Sequence, residues 1–224
     1  MQSVICLYLH GFLSSANSQK GRWFVRQVQT ENHQISHASE TFLEQPVFTE
    51  IITMTYPISS PFESVQKIEA LLQRLLTRKN QPIVLMGSSM GGFYAQFLGQ
   101  KHKLPYIMIN PALNPKPIFR QNLGVSTNPN TGEKFIIDET YIQQLDSFDV
   151  AKLDKSIPTL LLMDEGDEVI DVATALMKYQ NKNDLKTDIH VFKGGDHAFQ
   201  HLSEAWPLIK TFIDRLDDGA VYGF

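Results

Sequence analysis

Six short runs rich in Val, Ile, Leu and Tyr, at about residues 3–9, 51–55, 82–86, 104–109, 157–163 and 187–192, constrain this chain more than any other feature. Most are apolar without a break, whereas a strand with one wet face would alternate, so each is expected to be covered on both sides. Segments with helical spacing lie between them. The clearest is 61–79, where Phe62, Val65, Ile68, Leu71, Leu72, Leu75 and Leu76 recur on one face, behind a capping box at Ser60-Pro61-Phe62-Glu63. Further helices are expected at about 18–31, 90–101 and 169–181 and after Ser203, with Leu208, Ile209, Phe212, Ile213 and Leu216 on one face of the last. Strands alternating with helices predict an α/β fold: a mostly parallel sheet of about six strands, covered by helices.

No linker divides the 224 residues into comparable halves, so one domain is expected over 1–224. Two stretches break the alternation. The polar piece 32–48 has no clear form and can extend the helix before it. The second, about 111–150, holds Pro111, Pro115, Pro117 and Pro129, with Phe119, Phe135, Tyr141 and Phe148 scattered through it. It reads as an excursion over the sheet, a lid lining an acyl pocket or else an elaborate surface loop. Its Lys116 and Arg120 could meet an acidic substrate, but loop cations are commonly exposed and these are expected to be solvated.

A net charge of −4 with acids and bases interspersed leaves no basic stripe for nucleic acid. The single cysteine, Cys6, excludes a disulfide within the chain and is expected to be a buried small side chain. The first apolar run has no basic segment before it and stops at His10, too short for a signal peptide or a membrane span. A cytoplasmic protein is expected.

The third run leads into Gly87-Ser88-Ser89-Met90-Gly91, a G-x-S-x-G pentapeptide where a buried strand ends. Reversing a strand sharply into a helix requires small residues two positions either side of the serine, which then projects alone as a nucleophile. A serine nucleophile needs a base, an acid to orient the base, and donors for the oxyanion. His197, in Gly194-Gly195-Asp196-His197 after the last expected strand, is the candidate general base; His201, four residues on, is its rival. Asp167, after the apolar run Leu160-Leu161-Leu162-Met163, is the candidate orienting acid, with Asp164, Glu168 and Asp171 near enough to compete. Nucleophile, acid and base then follow in the chain order of α/β-hydrolases.

Tyr8-Leu9-His10-Gly11-Phe12 places a flexible backbone near the serine, so the Phe12 and Met90 N–H groups are the candidate oxyanion donors, while His10 is expected to shape the turn. His33 and His37 share helical spacing, but no cysteine or clearly placed carboxylate completes a metal site with them. Gly91-Gly92 lacks the Lys-Ser/Thr of a phosphate loop.

With Tyr8-Leu9-His10-Gly11-Phe12-Leu13, Gly87 to Phe93, Gly166 to Asp171, Gly194 to Phe199, and the pair Asn110-Pro111, the chain resembles the small bacterial esterases of the YqiA/YcfP-like family. The resemblance spans nearly the whole chain. It implies a compact α/β-hydrolase fold and cofactor-free hydrolysis of short acyl esters, extending to acyl-CoA thioesters. By motif position it carries the triad onto Ser89, Asp167 and His197. The expected partner is a small acyl ester or thioester, with no nucleic acid and no membrane span; the oligomeric state stays open. Two alternatives stand beside the serine esterase: a C–C bond hydrolase or lyase on the same fold, and a non-catalytic ligand-binding protein.

Overall fold

Hydrogen bonding joins the six apolar runs edge to edge in a single parallel sheet. The computed structural model describes residues 3–37, 45–78, 81–180 and 186–217. In chain order β1 (Val4–Leu9), α1 (Gln19–His37), β2 (Phe48–Thr53), α2 (Pro61–Leu76), β3 (Ile83–Ser88), α3 (Met90–His102) and β4 (Tyr106–Ile109) form the first half. After them come α4 (Lys116–Arg120), β5 (Gly124–Thr127), β6 (Lys134–Ile137) and α5 (Glu139–Asp146). The chain then returns to the sheet with β7 (Thr159–Asp164), α6 (Val172–Tyr179), β8 (Thr187–Phe192) and α7 (Leu202–Asp217).

Side chains that alternate across a strand meet two different helix layers, which is why the runs carry no polar alternation. Along β1, Ile5, Leu7 and Leu9 pack with Ile68 and Leu72 of α2 and Phe93 of α3. Val4, Cys6 and Tyr8 face the other way, onto Phe24 of α1 and Trp206 and Ile209 of α7. Burial of Cys6 pushes its thiol far above the ordinary range, so it sits as a protonated apolar side chain. At the start of α2, Pro61 occupies the first turn and the Ser60 hydroxyl accepts from Glu63 N at 3.3 Å. Phe62 and Leu76, expected on the apolar face of that helix, are instead 50% and 41% exposed, Phe62 stacking edge-on against Phe148.

The sheet order is β2-β1-β3-β4-β7-β8. The chain therefore steps outward from β1 to β2 and then back across β1 to β3. The crevice beyond the carboxyl ends of β1 and β3 is the point where the winding direction reverses, the usual place for a ligand in such sheets.

Departures from the sequence expectations have local causes. Strand β3 runs two residues past its apolar segment because Gly87 and Ser88 pair with Met108 and Ile109 of β4. Strand β2 begins at Phe48, three residues before the expected 51, since an edge strand tolerates the polar Thr49 and Glu50. Of the uncertain piece 32–48, residues 32–37 extend α1, 38–44 lie outside the described residues, and Phe48 opens β2. The tail 218–224 also lies outside them.

The excursion 111–150 is more regular than its composition suggests. It stays off the main sheet, and it contains α4, α5 and an antiparallel hairpin in which Val125 pairs with Ile136 and Ser126 with Phe135. Its scattered aromatics converge: Phe12 of the β1–α1 turn meets Phe119 edge-on at 4.8 Å and Phe135 at 5.7 Å, and Phe119 in turn meets Tyr141 at 5.1 Å. Lys116 pairs with Asp146, while Arg120 is exposed.

Candidate active site

Ser89 sits between β3 and α3 with φ +56° and ψ −122°, a conformation that side chains rarely adopt. The backbone around it holds the strain in place. Ser89 N donates to Ile109 O at 3.0 Å, and Ser89 O accepts from Gly92 N at 2.9 Å and Ala112 N at 3.1 Å. The glycines two residues either side are needed for contact as well as turn shape. A Cβ on Gly87 would stand 2.0 Å from Gly91 O, and one on Gly91 would stand 2.1 Å from Leu9 O.

His197 lies on the loop after β8, with its Nε2 3.0 Å from Ser89 Oγ across 108 residues of sequence. Its Nδ1 is 3.0 and 2.9 Å from the two carboxylate oxygens of Asp167. A carboxylate only accepts, so Nδ1 must carry the proton and the bare lone pair on Nε2 points at the serine hydroxyl. Burial tends to raise the carboxyl of Asp167. Donation from His197 and from the Ile170 and Val169 amides outweighs it and leaves this group below the ordinary range, and ionised at neutral pH.

The competing acids have other partners. Asp164, the last residue of β7, meets His201 Nδ1 at 2.7 Å; Glu168 accepts from His197 N at 3.0 Å; and Asp171 caps α6 by accepting from Ala173 N at 3.0 Å. The rival base His201 thus pairs with a different carboxylate and stacks on Phe192, ring centres 5.0 Å apart.

Three residues from the sequence shortlist shape the near side. His10 is 1% exposed, lies flat on the Tyr56 ring at 4.0 Å, and donates from Nδ1 to Gly11 O at 2.8 Å. Burial lowers its pKa to about 4, more than the Gly11 carbonyl restores, so it stands neutral at pH 7 as part of the turn. Phe12 and Met90 share one cavity of about 600 Å³ with Ser89 and His197. Its remaining wall comes largely from the excursion, with Ile118, Phe119, Leu123 and Val125 beside the polar Gln121 and Asn122, and among the described residues no Asp, Glu, Lys or Arg lines it.

Sequence reasoning missed two supports of the His197 loop. Asn110, noted only for its place beside Pro111, donates from Nδ2 to Asp196 O at 2.9 Å, and Lys20 Nζ donates to Ala198 O at 2.8 Å. Nothing in the sequence marks Lys20. Asp164 carried a signal that was left unused, because a carboxylate closing an unbroken apolar strand is expected to be buried and so to need donors.

A parallel sheet wound in this order, with a strained serine after its third strand and a histidine loop after its last, defines the α/β-hydrolase fold. Within that class the chain belongs to the UPF0227 family, an uncharacterised protein family whose sequence profile matches residues 5–214; this is the YcfP/YqiA-like group that the motifs resemble. Solved structures agree on the fold. Est1E from Butyrivibrio proteoclasticus superposes with a TM-score of 0.68 at 14% identity, over 97% of this chain and 90% of that one. Alpha/beta hydrolase domain-containing protein 10 from mouse gives 0.67 at 18% identity, over 96% and 89%. A monoacylglycerol lipase from Paleococcus ferrophilus gives 0.66 at 14% identity, over 93% of each chain.

Proposed function

We propose that this chain is a serine esterase acting on short-to-medium acyl esters through an acyl-enzyme, with Ser89 as nucleophile, His197 as general base and Asp167 as orienting acid. The observation that carries the reading is the unbroken relay from Ser89 Oγ to His197 Nε2 at 3.0 Å and from His197 Nδ1 to the Asp167 carboxylate at 2.9 Å. In the first step His197 Nε2 takes the hydroxyl proton as Ser89 Oγ bonds to the ester carbonyl carbon. The carbonyl oxygen becomes an oxyanion, for which the Phe12 and Met90 amides are the proposed donors; Met90 opens α3, whose dipole favours negative charge there. Collapse expels the alcohol, which takes the proton from His197. Water, deprotonated by the same imidazole, then releases the acid and restores Ser89.

The cavity argues for the acyl class. Its aliphatic and aromatic side chains can take a short hydrocarbon chain beside the polar Gln121, Asn122 and Ser126, and its described lining holds no Asp, Glu, Lys or Arg as a counter-ion for a charged group. The excursion 111–150 acts as a lid on this pocket, within one hydrolase domain.

Wild type is expected to be labelled by a fluorophosphonate probe and to hydrolyse p-nitrophenyl acyl esters. Ser89→Ala should lose the label and at least about 10³-fold in kcat. A Ser89→Ala variant that keeps wild-type turnover, or a folded wild type that neither labels nor hydrolyses, overturns the assignment.

A further inference from the structure

The backbone of the loop that carries His197 is held mostly from outside. Between Asp196 and Gln200 the internal links are Phe199 N to Asp196 O at 3.0 Å and Gln200 Nε2 to the Asp196 carboxylate at 3.0 and 2.8 Å; the other hydrogen bonds of its backbone come from elsewhere in the fold. Asn110 Nδ2 donates to Asp196 O at 2.9 Å and to His197 O at 3.4 Å. Glu168 accepts from His197 N at 3.0 Å, and Lys20 donates to Ala198 O at 2.8 Å. Two further amides, one on each side of the histidine, converge on a single atom. Asp164 Oδ2 accepts from Asp196 N at 3.2 Å and from Gln200 N at 2.7 Å.

Asp164 is built for that task. Its side chain is fully buried, its own amide donates to Asn110 Oδ1 at 2.9 Å, and its Oδ1 accepts from His201 Nδ1 at 2.7 Å. A buried carboxylate is tolerable only when its lone pairs are met, and here three donors meet them. The loop passes so close that a Cβ on Gly195 would stand 1.9 Å from Asp164 Oδ2. Asp164 and Asn110 are therefore one clamp, anchored at the ends of β7 and β4 and bonded to each other.

We propose that Asp164, completed by His201, is a positioning residue for the general base: it fixes the backbone on both sides of His197 and so sets the 3.0 Å approach of Nε2 to Ser89 Oγ. It touches no reacting atom. The proposal rests on the esterase reading and adds a second acid–histidine pair that supports the first. Replacing the carboxylate by an amide removes the charge and turns one acceptor atom into a donor, so either a backbone N–H is left facing an NH₂ group or His201 must switch tautomer to accept from it at Nδ1. The loop then relaxes and the base moves off line.

The test compares wild type, Asp164→Asn and His201→Phe in three measurements: kcat and KM on p-nitrophenyl butyrate, the second-order rate of fluorophosphonate labelling, and the final labelled fraction. Dividing kcat by labelled serine removes any loss of folded protein, which a merely structural role would produce. For Asp164→Asn, kcat per labelled serine and the labelling rate should both fall about 10- to 100-fold with KM within about twofold, the cost of a misplaced group. His201→Phe keeps the stacking on Phe192 but removes one donor, and should lose about three- to tenfold in the same two rates. Both variants matching wild type in both rates overturns the positioning role while leaving the esterase reading intact; if Asp164→Asn does not fold, His201→Phe at wild-type rates does so alone. A wild type that labels but cleaves no ester defeats the esterase reading, and the labelling rate still decides the clamp. A folded wild type that does neither overturns both.

Discussion

Two aspartate–histidine pairs stand at the carboxyl end of β7, Asp167 with His197 and Asp164 with His201. Both carboxylates are fully buried, both imidazoles are 23% exposed, and the shortest Nδ1–carboxylate distances are 2.9 and 2.7 Å. They differ in what lies beyond the imidazole. His197 presents Nε2 to Ser89, whereas the ring of His201 is stacked on Phe192 and, among the described residues, hydrogen-bonds to no serine. The contrast teaches that burial and an acid partner orient a histidine without giving it a nucleophile; under the proposed mechanism it is the strained elbow at Ser89 that makes His197 the base.

The largest effect that can break this comparison is on the first pair. Asp167→Asn frees the Nδ1–H tautomer and should cut kcat by about 10³- to 10⁴-fold in the ester assay, well beyond the loss expected at Asp164. Equal losses at the two aspartates would erase the distinction. Next comes Gly195→Ala, which drives a methyl into Asp164 Oδ2 at a φ of +72°. It should destabilise the fold by at least about 2 kcal/mol, read from urea unfolding, and slow labelling of the remaining folded protein. Wild-type stability in that variant would show that the loop is not pinned against the second pair.

A histidine with no acid sharpens the contrast. The folded pKa of His10 is about 4, below its ordinary 6.5, so the unfolded chain binds more protons between those values. Stability contributed by neutral His10 is therefore present above pH 6.5, is lost as pH falls through that window, and changes no further below about pH 4. Between pH 7 and pH 5 this amounts to about 2 kcal/mol, and His10→Asn should remove that share of the slope in urea titrations at the two pH values. An unchanged slope would mean that His10 is not the buried neutral group described. The smallest effect is expected at Asp171, whose carboxylate caps α6 and accepts from the Thr174 hydroxyl at 2.7 Å. Asp171→Ala should lower the thermal midpoint slightly while leaving kcat within about twofold. A large loss of turnover there would reopen the choice of orienting acid.

Much of this geometry was legible in the residues. The apolar runs located the strands of the parallel sheet to within a few positions, because burial on both faces leaves a continuous signature. The G-x-S-x-G spacing located the elbow, since no other residues allow Gly87 and Gly91 their close contacts. The excursion was placed but not resolved: its hairpin is made of four-residue strands, and its aromatics acquire a common purpose only when Phe12 arrives from another part of the chain. Phe62 and Leu76 illustrate the opposite error, fitting the helical period of α2 but not the surface it buries.

By itself, then, the sequence determined the order and type of the main-sheet elements, the site of the strained turn, and the two loops from which an acid and a base had to come. These depend on local period and turn chemistry, which neighbouring residues specify. Only the tertiary structure decided that the chain winds β2-β1-β3-β4-β7-β8, that residues of 111–150 wall the cavity beside Ser89, and that Asp167 meets His197 while Asp164 meets His201. A carboxylate turns toward whichever donors surround it, and those donors come from strands and loops tens of residues away, so no local pattern carries the choice.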